Sequence, residues 1–206
     1  MTSIPSATSA GTPDRAALYL HDTVQWLEKA VIGLNLCPFA KSVHVKGQIH
    51  YAVSLTDSPA EVLELLRAEL AALAETPAEL RDTSLLVLPH CLQDFLDFND
   101  FLGEAEALLD AMGLDGTLQI ASFHPQFQFA GTEVDDVTNC TNRAPYPTLH
   151  LLREDSIDRA VAVFPEAEAI FERNMEVLED LGMQGWQALG VGASEPTASA
   201  GEGAAR

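Results

Sequence analysis

A thiol, two imidazoles and a guanidinium are the side chains of this sequence best suited to chemistry. Cys37 stands in Asn35-Leu36-Cys37-Pro38-Phe39-Ala40-Lys41, directly after a helical segment. Proline disfavours a helical residue before it but suits the first position of a new helix. Pro38 therefore places Cys37 at an N-cap, facing free backbone amides, with Lys41 one turn on. Both features stabilise a thiolate, which makes Cys37 a candidate nucleophile or redox thiol. The plainer reading is a buried free cysteine packing as a small hydrophobe. His90 follows the apolar run ending at Leu88, and His124 follows the run ending at Phe123. If those runs are parallel strands, both imidazoles emerge at the carboxyl edge of the sheet, where open α/β folds bind ligands. Either could carry a proton there; the alternative is a pair of ordinary loop histidines.

Arg143 lies in Asn139-Cys140-Thr141-Asn142-Arg143-Ala144-Pro145-Tyr146-Pro147. Its planar fork suits a carboxylate or phosphate, Asn139 and Asn142 can donate and accept, and two prolines stiffen the loop around Tyr146. In the following strand, alternation puts Leu149, Leu151 and Arg153 on one side and His150 and Leu152 on the other. Arg143 and Arg153 then need not converge, and Arg153 beside Glu154 reads most simply as a strand-end ion pair. The candidate substrate-binding set is Arg143, Lys41, Asn139, Asn142, Tyr146 and Arg153; the candidate catalytic set is Cys37, His124 and His90.

Charge distribution supports that choice. The 206 residues carry 11 Lys+Arg against 31 Asp+Glu, a formal charge of −20. Yet no Asp or Glu occurs from Lys29 to Thr56 or from Val137 to Arg153, and Gly116 to Thr132 has no charged side chain at all. Buried strands exclude acids anyway, but the loop text in these stretches is acid-free and basic too. Local positive potential in an acidic protein is a device for holding an anion, so the expected partner is a small anionic molecule. The overall charge speaks against nucleic acid and anionic lipid. No apolar run reaches the roughly 20 residues of a membrane helix, and residues 1–13 lack the basic start and apolar segment of a secretory signal. A cytoplasmic location and no membrane contact are therefore expected. Three cysteines, Cys37, Cys91 and Cys140, do not make a disulfide framework. No cofactor is expected. A metal site remains a distant alternative, because the chain has no Cys-x-x-Cys, His-x-His or His-Glu-x-x-His pattern.

These groups must be positioned by alternating helices and strands. The sequence predicts a first helix capped by Asp14 and ending near Gly33, and a strand over Ile49–Leu55. A helix opens at Ser58-Pro59-Ala60-Glu61 with a capping box, Ser58 at the N-cap and Glu61 reaching back. Next come a buried strand over Thr83–Leu88, a helix over Asp94–Met112, strands over Leu118–Phe123 and Thr148–Leu152, and a last helix over Glu166–Leu181 stopped by Gly182. The Pro-, Gly- and Asn-rich stretch 124–147 is expected to be a functional loop. The fold class is α/β, a four-stranded mostly parallel or mixed sheet with packed helices, the alternative being a ferredoxin-like α+β sandwich. One globular domain spans 14–190, between unstructured tails at 1–13 and 191–206.

Three segments together carry a family resemblance. Asn35-Leu36-Cys37-Pro38-Phe39-Ala40, then His124-Pro125-Gln126-Phe127-Gln128-Phe129-Ala130-Gly131, then Asn142-Arg143-Ala144-Pro145-Tyr146-Pro147 with Leu149-His150-Leu151-Leu152-Arg153-Glu154 resemble an uncharacterised bacterial family, domain of unknown function fourteen-fifteen. The resemblance spans about residues 18–181. Relatives commonly have Ser where this chain has Ala144, so no serine nucleophile is assigned there, and the resemblance implies no activity. The leading expectation is an enzyme of hydrolase or transferase type, with a Cys/His site and an Arg/Lys anion clamp. The alternatives are a non-catalytic binding protein for an anionic ligand or partner, and a metal-binding protein. The oligomeric state is left open.

Overall fold

The computed structural model describes residues 12–163 and 169–194. Helix α1 (Thr12–Trp26) runs into a π-helical stretch, Leu27–Ile32, that ends at Gly33. The short α2 (Ala40–Val45) leads into β1 (Ile49–Val53), then α3 (Pro59–Glu75), β2 (Thr83–Val87), α4 (Phe95–Ala111) and β3 (Leu118–Phe123). A 3₁₀ turn at Val137–Asn142 precedes β4 (Thr148–Arg153), α5 (Glu154–Val163) and α6 (Ile170–Ala188).

The sheet is mixed, with strand order β1-β2-β4-β3. β1 and β2 pair in parallel across the α3 crossover, while β4 is antiparallel to both its neighbours. β3 does not pair directly with β2. The chain skips one position after α4, and β4 returns into the gap. β2 and β3 still point the same way, because both oppose β4, so their carboxyl ends share one edge of the sheet.

Each face of the sheet is covered differently. Leu86, Leu118, Leu149 and Leu151 pack against Val62, Leu66, Leu70 and Leu73 of α3 and Phe98, Phe101 and Ala105 of α4. The four α3 side chains are all fully buried, each stabilising by about 1.5–3 kcal/mol through apolar burial. Both helices start where the sequence says. Asp94 accepts from the amides of Leu96 and Asp97, and Ser58 accepts from Glu61. The capping box, however, closes through Thr56, whose hydroxyl donates to Glu61 and accepts from the Ser58 amide. On the opposite face Ile49, Tyr51, Leu85, Val87 and Phe123 meet α1, the π-helical stretch and residues beyond α6.

Several boundaries differ from expectation. α1 begins at Thr12, so Asp14 lies inside it rather than at its cap. α2 begins at Ala40, three residues after Cys37, with Phe39 at the N-cap. α5 is a helix the sequence reading passed over, because its apolar side is short (Ile157, Ala160, Val161). Gly182, at φ 66° and ψ 168°, is non-helical, so the helix does break there as expected, and a second helical segment continues from the kink to Ala188. The domain also extends past 190: Val191 is buried, and Ser194 donates through both its amide and its hydroxyl to the buried Asp22. The expected tail over 1–11, the remainder of the tail from 195 on, and the expected start of the last helix at Glu166 lie outside the described residues. Among the described residues, no helix is long and apolar enough to cross a membrane.

Candidate functional site

A cavity of about 310 Å³ lies over the α1 face of the sheet. Its floor is built by alternate residues of three strands, Thr83 and Leu85, His150 and Leu152, and Phe123. Trp26, Leu27 and Val31 form one wall. They come from the junction where α1 widens into π-helical turns, a local irregularity often found at functional sites. Cys37, Phe39 and Val43 close a second side, and Ile157 and Ala160 of α5 a third. Among the described residues lining it, only Asp82 and Arg153 bear a full charge.

His150 is the chemically unusual member. It follows Leu149 in β4 and faces away from the α3–α4 core, with Phe123 beside it at 5.9 Å between ring centroids. Among the described residues its ring nitrogens make no hydrogen bond. Burial pushes its pKa down to about 4, because an imidazolium there would lose hydration. It is therefore neutral at pH 7, with one donor and one acceptor to offer. The side chain of Gln119, on β3 at the same cavity, likewise makes no hydrogen bond among the described residues.

Cys37 does reach this cavity, but its thiol is not primed. Burial raises its pKa from 9.0, outweighing the backbone hydrogen bonds from Phe39 and Ala40 that favour the thiolate. The amides expected at an N-cap are thus present, and desolvation overrides them. Lys41 is exposed and is not among the cavity residues.

The other candidates lie elsewhere and are occupied. His124 is fully buried between Phe95 and Phe98 of the opposite core. Its Nδ1 accepts from the Gln126 amide at 3.0 Å, so Nε2 carries the proton and donates to Leu92 O at 3.2 Å. Burial lowers its pKa, and no ring nitrogen is left for a substrate. His90, at the same sheet edge, contacts the Tyr19 hydroxyl at 3.2 Å. Arg143 spends its fork on the carbonyls of Phe127 and Val134. Asn139, fully buried, accepts from Phe129 and Thr132 and donates to Glu133 O, which folds the loop. Asn142 donates to Ser122 O, and Tyr146 donates to Asp22 at 2.5 Å. Arg153 reaches the cavity rim but donates to Leu73 O, Thr76 O and Arg81 O around the end of α3; no ion pair with Glu154 forms. Cys37, His124 and Arg143 therefore do not share a cavity. Ala144 is buried among Trp26, Leu27 and Val31, surroundings in which a serine hydroxyl would lack water.

Cys91 and Cys140 are also free and buried, and among the described residues no group of three or more His, Cys, Asp or Glu side chains is placed to hold a metal ion. The residue that sequence reasoning missed is His150. Its signal was a lone polar residue inside Leu149-His150-Leu151-Leu152, pointing to the other side from Leu149 and Leu151.

The molecule thus has a mixed α/β fold with a largely apolar cavity between sheet and helices. A family model described as a protein of unknown function (DUF1415) matches residues 19–188, and the chain belongs to that family. No curated protein and no solved structure matches it.

Proposed function

We propose that this chain binds a small, uncharged, largely apolar molecule in the cavity over the sheet. The observation that carries the reading is a cavity of about 310 Å³ whose apolar walls enclose a neutral imidazole with no partner among the described residues. An apolar cavity of roughly 150 Å³ stays dry and takes benzene, so this one suits a ligand of about 12 non-hydrogen atoms.

An anionic ligand fits less well. A buried carboxylate is costly without a cation, and Arg153 is already committed to three carbonyls while Asp82 lines the same space. Catalysis by Cys37 and His150 is the second reading, favoured by the amides of Phe39 and Ala40 at the sulfur. It must overcome an unfavourable proton transfer. With the thiol above 9.0 and the imidazole at about 4, the ion pair is disfavoured by more than about 10⁵-fold in the empty cavity.

The test is titration of the folded chain with ethylbenzene and naphthalene, followed at the Trp26 indole N–H by NMR. Saturable binding with a Kd on the order of 0.1–1 mM is expected, weakened at least tenfold by Ala160→Phe and by Ala40→Phe, which fill the cavity. No saturable binding of either probe overturns the reading.

A further inference from the structure

The geometry points to a ligand carrying a neutral donor–acceptor edge, such as a primary carboxamide or a lactam, held between His150 and Gln119. This rests on the cavity-binding reading above and specifies its ligand.

The β3–β4 register pairs Gln119 with Leu152 and Ala121 with His150. Gln119 and His150 are therefore diagonal neighbours on the cavity face of adjacent strands, a spacing of about 7–8 Å between backbones. Buried polar groups normally find partners, and an unmet one costs about 1–3 kcal/mol. His150 and Gln119 are half-buried, neither side chain makes a hydrogen bond among the described residues, and a ligand filling the cavity would cut both off from water, so it must meet them itself. A neutral imidazole offers one donor and one acceptor, and a carboxamide side chain offers both. The complementary ligand group also has both, on atoms close enough to reach each side chain. An amide has this property. A carboxylate only accepts, and its charge meets Asp82 in the same cavity. An ammonium only donates, and would leave the Gln119 NH₂ unmet. The aromatic faces of Trp26, Phe39 and Phe123 supply the surface for the apolar remainder.

The experiment compares four probes of similar size, benzamide, benzoate, benzylamine and ethylbenzene, by titration calorimetry and NMR on the full chain at pH 7. The readout is the affinity ratio of benzamide to ethylbenzene, in which a general change of cavity shape cancels. Benzamide should bind at least about threefold tighter than ethylbenzene and tenfold tighter than benzoate or benzylamine. His150→Phe and Gln119→Leu should each bring the benzamide-to-ethylbenzene ratio close to one. Equal binding of benzamide and ethylbenzene, or an advantage for benzamide that survives both substitutions, overturns the amide assignment while leaving the cavity reading intact, whereas tighter binding of either charged probe overturns both. Failure of all four to bind overturns both.

Discussion

At the scale of single residues, desolvation decides more than local charge. Cys37 has the helix-start amides that lower a thiol pKa, yet burial raises it on balance, because taking a charge out of water outweighs two backbone hydrogen bonds. Its alkylation by iodoacetamide at pH 7.5 should be at least about tenfold slower than that of a free model thiol, and should rise steeply only above pH 9. A rate above that of the free thiol would restore the nucleophile. The sequence located Cys37 near a helix start because proline grammar is local. It did not reveal His150, since a histidine inside a leucine run carries no motif and only strand register shows what it faces. His124 looked catalytic for the opposite reason: its place at a strand end was legible, but the two phenylalanines around it come from α4, a contact no local pattern encodes.

At the scale of elements, Arg153 acts as a staple. α3 has no basic residue in its last turn, and its final carbonyls would otherwise rely on water. Arg153 brings a guanidinium from the end of β4 to Leu73 O, Thr76 O and the nearby Arg81 O, tying a helix on one side of the sheet to the central strand β4. Arg153→Met should lower stability by about 2 kcal/mol in urea unfolding. Arg153→Lys should recover less than half of that, because an ammonium cannot span several acceptors with fixed geometry. Full rescue by lysine would show that charge alone is at work. All four strands, α3 and α4 were legible from period and caps, which are properties of contiguous residues. Strand order was not: whether β4 enters between β2 and β3 depends on what the loop 124–147 folds into, and its organiser is Asn139 bonding to Phe129, Thr132 and Glu133.

At the scale of the whole molecule, two electrostatic effects meet. A charge of −20 repels itself, destabilising the compact state, but most of that repulsion is relieved only where carboxylates titrate, near pH 4. Before that, the histidines respond. His150 has a folded pKa of about 4 against an ordinary 6.5, and His124 shifts in the same direction. Below pH 6.5 the unfolded chain takes up protons that the folded chain refuses, so stability is lost as pH falls from about 6.5 towards 4. Urea unfolding at pH 7.5 and 5.0 should show this loss, and His150→Phe should reduce it by about 1–2 kcal/mol. Identical losses in wild type and variant would mean that water or a counter-charge reaches the imidazole.

Asp22 sits in the middle of α1 and binds Ser194 through two hydrogen bonds. Ten residues of helix, about 15 Å at 1.5 Å each, separate it from Thr12. Thr12 and Ser194 therefore lie within about 20 Å of each other. A short linker can join them, and new ends can be cut in an exposed turn such as that around Gly116, giving a circularly permuted chain that keeps every strand pairing and the cavity intact.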